Sequence, residues 1–120
     1  MAMARRNDRE LPPLEAPGDT SGTRIRWCRE AAQLARADLA RLANLTLSGV
    51  AGIESDRRGR RPRIVNATAI AEVLGVDPVW LREGVGEAPA RAAIYAFTKG
   101  ARRMAENERA ARARWHVRAS

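Results

Sequence analysis

Between Leu34 and Glu54 the chain reads LARADLARLANLTLSGVAGIE, and its apolar positions fall into two short stripes. Leu39, Ala40 and Ala43 make the first; Leu45, Val50 and Ile53 make the second, with Asn44 between them. Three-four spacing of this kind gives each of two short helices one inward side. Asn44 suits a turn that needs positive φ, which Asn tolerates best after Gly. The outward positions of the second helix are small or polar: Thr46, Ser48, Gly49, Ala51 and Gly52.

The rest of the chain is patterned around this pair. Residues 1–21 carry Pro12, Pro13, Pro17 and Gly18 and little that could be buried, so they are expected to form a disordered arm. Ile25, Cys28, Ala31 and Ala32 predict a first helix from Ser21–Thr23 to Gln33, capped by Ser21 or Thr23, with Trp27 half-buried beside the stripe. The second helix runs from Arg36 to Ala43. Ala35 stands where a capping oxygen is preferred, a deficit of about 1 kcal/mol. Thr46 caps the third, Leu47 to Ser55. Gly49 and Gly52 each cost that helix about 1 kcal/mol. They make sense if packing holds the helix and its outer face comes close to a partner. Residues 56–63 (DRRGRRPR) form a loop broken by Gly59 and Pro62. A fourth helix follows, starting near Asn66 or Thr68, with Ile70, Val73 and Leu74 inward and Gly75 as its stop. Asp77-Pro78 open a fifth, with Val79, Trp80 and Leu81 inward. After a linker at 84–90, Ile94, Phe97, Ala101, Met104, Ala111 and Trp115 form a thin seam on a basic helix, weakened by Gly100 and interrupted by Glu108. That helix can fold back, pair with another subunit or fray. The expected organisation is an arm over 1–21, a domain over 22–87, and a linker with a basic amphipathic helix over 88–120.

Composition agrees with an all-α protein. Aromatics are 4% of the 120 residues, so the core must come from Leu, Ile, Val and Ala. The formal charge of +8 suits a protein that neutralises phosphates. Its distribution says more: 57–63 holds five arginines and no acid, and 91–120 holds eight basic residues against two acidic. Cys28 is the single cysteine, which allows no internal disulfide and suits a reducing cytoplasm. It is expected in the core. No run approaches the roughly 20 apolar residues of a membrane span, and no signal peptide is visible.

Two short helices around a tight turn are the layout of a helix-turn-helix, which places its second helix in the major groove of DNA. The text from Thr23 to Gly86 resembles the phage-repressor and Cro type of this domain, also called lambda-repressor-like or xenobiotic-response-element type. The matching stretches are IRWCREAAQLARADLARLANLTLSGVAGIE and RRPRIVNATAIAEVLGVDPVWLREG. The Ala40…Asn44…Val50…Ile53-Glu54 framework and the LGVDPVWL segment carry the likeness. The resemblance implies a five-helix all-α lambda-repressor-like domain, here with a flexible N-terminal arm and a C-terminal helical extension. It implies that Leu47, Ser48 and Gly52 project toward bases, with Ala51 on the same face and Thr46 at the entry. It implies phosphate contacts from Arg36 and from the loop arginines Arg61 and Arg63, and by their charge Arg57, Arg58 and Arg60 of the same loop are expected to neutralise phosphates with them. It also implies a salt bridge between Arg29 and Glu54.

The outer face departs from the usual pattern of Gln, Arg or Asn, the side chains that make bidentate contacts to purines. Ser can bond almost any base edge, and Leu or Ala can touch a thymine methyl. Specificity is therefore expected to lean on backbone geometry and DNA shape. The partners expected are double-stranded DNA and a second copy of the chain, the C-terminal helix being a candidate for the dimer contact. The competing reading is an antitoxin or adaptor whose residues 91–115 bind a protein. RNA binding through the arginines is a third. Catalysis is not expected: His116 is the only histidine and has no clustered carboxylate or cysteine. One Cys and one His cannot make a zinc site, and no glycine motif cradles a phosphate, so no metal or cofactor is expected.

Overall fold

The computed structural model of the chain describes residues 14–56 and 58–119. Most of the expected arm, Arg57 and the side chains of residues 116–119, His116 among them, lie outside the described residues. Among the described residues there are helices and no strand. They are α1 (Ser21–Ala32), α2 (Arg36–Leu42), α3 (Leu47–Glu54), α4 (Ile64–Leu74), α5 (Pro78–Glu83), α6 (Arg91–Phe97) and α7 (Lys99–Ala119). None is long and apolar enough to cross a membrane.

The first five close around one core. Ile25 from α1, Leu39 from α2, Val50 from α3, Ile70 and Leu74 from α4 and Leu81 from α5 are fully buried. Cys28 joins them. Trp27, expected to be half-buried, is in the core as well, because Trp80 meets it edge-on with ring centroids 6.4 Å apart. Val79 is the reverse case: its neighbours Trp80 and Leu81 turn inward, and Val79 itself is exposed.

Two starts differ from expectation and a third, that of α2, falls where expected but gains a partner, each for a local reason. α1 is capped by Thr20, one residue earlier than expected: Thr20 Oγ1 accepts the Thr23 N–H, and Thr23 Oγ1 accepts the Thr20 N–H in return. Ser21, freed from capping, donates to the Arg82 carbonyl at 2.5 Å and ties α1 to the end of α5. α2 has no capping oxygen at Ala35, but the Asp38 carboxylate accepts the Ala35 N–H at 3.0 Å and recovers half of a capping box. α4 begins at Ile64, well before Asn66, directly after Pro62 and Arg63. The expected end signals act where they stand: Gly75 ends α4 at φ 73°, and Asp77 accepts the Val79 N–H ahead of α5.

The C-terminal extension folds back. Its basic helix breaks at Thr98, whose Oγ1 donates to the Ile94 carbonyl at 2.7 Å, giving two helices in place of one. α6 packs on α1, and Ile94 and Ala105 are buried in the common core. Polar contacts fix α7 to the first two helices. Arg102 donates to the Ala32 carbonyl at 3.1 Å, Arg109 to Asp38 at 2.7 Å, and Arg41 pairs with Glu108. The anticipated seam is therefore divided: Ile94 and Ala101 face the body, while Phe97, Met104 and Trp115 are exposed.

Candidate nucleic-acid interface

α3 is short, contains two glycines and could not stand alone. Its position is set at both ends. Asn44 takes φ 61° in the turn, and the Leu45 N–H reaches back to the Ala40 carbonyl at 2.7 Å. Thr46 Oγ1 then accepts the Gly49 N–H at 3.0 Å. At the far end α1 comes so close that a Cβ on Gly22 would lie 2.2 Å from the Ile53 carbonyl oxygen. Only glycine fits there.

The same end carries a charge cluster. Arg29 Nε and Nη2 donate to the two Glu54 oxygens at 2.7 and 3.0 Å, a bidentate pair. Arg36 Nε donates to Glu54 Oε1 at 3.1 Å. The Glu54 side chain is 1% exposed. One carboxylate thus joins α1, α2 and α3. Arg36, implied by resemblance as a phosphate contact, has its Nε on Glu54, with much of the side chain still exposed. Arg29 also donates to the Leu34 carbonyl, fixing the link between α1 and α2.

With its inner side so held, α3 turns Thr46, Leu47, Ser48 and Gly52 to solvent, and Ala51 is half-buried. The Thr46 hydroxyl is already engaged as the cap and lies 3.5 Å from Ser48 Oγ. Ser48 thus offers the freer hydroxyl. A Cβ on Gly52 would meet nothing within 4 Å, so no neighbour in the fold demands glycine there. A Cβ on Gly49 would crowd the Thr46 hydroxyl at 2.9 Å. Beside the start of α3 lies an open cavity of about 480 Å³ lined by Asn44, Leu45, Thr46, Gly49, Ile53 and Asn66. From sequence, Asn44 stands out only as a turn residue and Asn66 only as a residue near the start of the fourth helix. Their shared cleft is a tertiary feature without a sequence signal.

The loop after α3 carries Arg58, Arg60, Arg61 and Arg63, all exposed. Arg57, named with them from sequence, lies outside the described residues. Asp56 organises the loop's start: it accepts the Arg58 N–H at 2.9 Å and Arg60 Nε at 3.0 Å. The Arg58 N–H, seconded by the Arg60 guanidinium, holds the Asp56 carboxyl below its ordinary range. At the loop's end Arg82 Nε donates to the Pro62 carbonyl at 2.7 Å. Arg24, buried under α5, donates to the Leu81 and Arg82 carbonyls at 3.0 and 3.1 Å. Burial, with the charge of Arg61 nearby, pulls its guanidinium below the ordinary value.

Among the described residues no group of three metal-ligating side chains comes together. Burial pushes the Cys28 thiol up to about 12, so it stays a protonated core side chain. What the geometry offers is an exposed helix of mostly small side chains beside a line of exposed guanidinium groups.

A family model described as helix-turn-helix matches residues 25–81. The matched span opens in α1 and closes in α5, so it contains the Glu54 cluster, α3 and the arginine loop. No curated protein and no solved structure matches the chain.

Proposed function

Since the chain belongs, through residues 25–81, to the lambda-repressor-like helix-turn-helix family of DNA-binding transcriptional regulators, we propose that it represses by reading the major groove with residues 47–55. The observation that carries this reading is the outer face of α3, open to solvent while Glu54 and Gly22 fix the inner one. Thr46, Leu47, Ser48, Ala51 and Gly52 meet base edges. Arg58, Arg60, Arg61, Arg63 and Arg57 meet phosphates. Arg36 divides its guanidinium between Glu54 and a phosphate. Asn44 and Asn66 reach the backbone beside the helix start.

The binding energy divides in two. The arginines release counterions and supply affinity without sequence information. The α3 face supplies the base reading, and without a bidentate pair it discriminates through Ser48, thymine methyl contacts and groove shape. Single domains of this kind occupy two half-sites one turn apart, so the DNA-bound state is a homodimer.

Selection of bound fragments from random and host DNA, at two salt concentrations, tests this. The expected result is a short, paired motif whose recovery falls steeply with salt. A long, sharp motif would contradict the shape-reading face. Equal capture of duplex RNA would remove DNA as the partner.

A further inference from the structure

The chain has five aromatic side chains, and they are divided by region. Trp27 and Trp80 meet in the core; Tyr95, Phe97 and Trp115 are exposed, all on the last two helices. Two of those three have local company. The Arg102 guanidinium lies 3.7 Å over the Tyr95 ring, and Phe97 packs where a Cβ on Gly75 would be. Trp115 is 68% exposed, and Met104 is 54% exposed. Met104, Ala111 and Trp115 stand at i, i+7 and i+11, which places them on one face of α7.

The body holds α7 mainly by the adjoining face, through Ala105, Arg102 and Arg109. Glu108, which stands between Met104 and Ala111 on the stripe, is drawn to Arg41. From Arg109 to Trp115 every side chain is exposed. At about 1.5 Å per residue, the last ten residues of α7 extend it by about 15 Å beyond the Arg109 contact.

Charge decides what can cover the stripe. α7 carries seven basic side chains and two acidic ones, and one of the acids, Glu108, is paired with Arg41. A second copy of α7 would set one strongly basic helix against another. Duplex DNA would take the arginines, but Met, Ala and Trp offer its phosphates no hydrogen bond beyond the indole N–H. Trp, Met and Arg together are what protein interfaces concentrate. We propose that the outer face of α7 docks, by its Met104–Trp115 stripe, into an apolar groove rimmed by carboxylates on an acidic protein partner. The inference is independent of which DNA sequence α3 reads.

The test uses the full chain and two labelled helical peptides of identical leucine seam, one flanked by Glu and one by Lys. The readouts are fluorescence anisotropy and Trp115 emission. The Glu peptide is expected to bind and shift the emission to the blue. The Met104→Asp/Trp115→Asp variant should lose about tenfold or more of that affinity, the scale of one interface hot spot. Its melting temperature and DNA affinity should match the parent. No binding of the Glu peptide, equal binding of both peptides, or undiminished binding by the variant would overturn the proposal. A weakened DNA complex would give the stripe to nucleic acid. A peptide-free dimer in sedimentation that the variant disperses would give it to a second copy. Either result also overturns it.

Discussion

Arg29 grips Glu54 with two hydrogen bonds, and through that pair the first helix fixes the end of the third. Breaking a buried pair leaves one charge uncompensated, which costs about 3–5 kcal/mol. Arg29→Met should therefore lower stability by about that much, read from urea denaturation midpoints. Arg36→Met should cost far less, since Arg29 still satisfies Glu54 and the Arg36 side chain is 42% exposed. Equal losses for the two variants would mean that the cluster does not divide in this way.

Gly52 separates folding from binding. Alanine there meets no neighbour within 4 Å and improves helix propensity, so Gly52→Ala should stabilise the free protein by about 0.5–1 kcal/mol. The added methyl stands on the face assigned to DNA, so affinity should fall while the melting temperature rises. A variant that gained stability and bound DNA unchanged would take Gly52 out of the interface.

If about five phosphates are engaged by the arginines, the slope of log affinity against log salt should be about −4.5. Arg61→Ala and Arg63→Ala should each reduce the slope by about 0.9 without changing which sequence is preferred. A slope close to zero would remove the arginine loop from the interface. Asp56→Asn should release Arg60 and remove a negative charge beside the phosphates, raising affinity at low salt.

Ile94 lies beyond the matched span yet is buried with α1. Ile94→Ala should cost about 2–5 kcal/mol, as for other large aliphatic core residues. Trp115→Ala should stay within about 0.5 kcal/mol, because an exposed side chain has little to lose. Chemical denaturation of both variants checks the contrast, and comparable effects would contradict the packing of α6.

Cys28 offers a pH test. Burial raises its folded value to about 12 from the ordinary 9.0, so the folded state keeps a proton that the unfolded chain gives up. Stability from this group is complete below pH 9 and is lost as pH rises toward 12. The alkaline loss of stability should be smaller in Cys28→Ala than in the parent. Alkylation of Cys28 at pH 8 should proceed only as fast as the protein opens. Rapid labelling of the folded chain would show the thiol to be accessible.

The sequence by itself determined the all-α class, the inward stripes of the first four helices, that of the fifth except for Val79, and their main punctuation. These are local matters: three-four periodicity, Asn44 at positive φ, Thr46 and Asp77 as caps, Gly75 as a stop. It also named the outward residues of α3, since the side opposite an apolar stripe faces solvent. What tertiary structure decided is what distant segments do to each other. Thr20 took the first cap, and Ser21 bonded the end of α5. Arg36 turned to Glu54 because α1 and α2 converge on one carboxylate. Asn44 and Asn66, 22 residues apart, came to line one cleft. The C-terminal helix had several possible fates on its pattern alone, a thin seam with many arginines. Its course was settled by Ile94 entering the core and by Asp38 and Glu108, two acids whose partners lie on the opposite helix. Periodicity reports which side of a helix is apolar; only packing reports what that side meets.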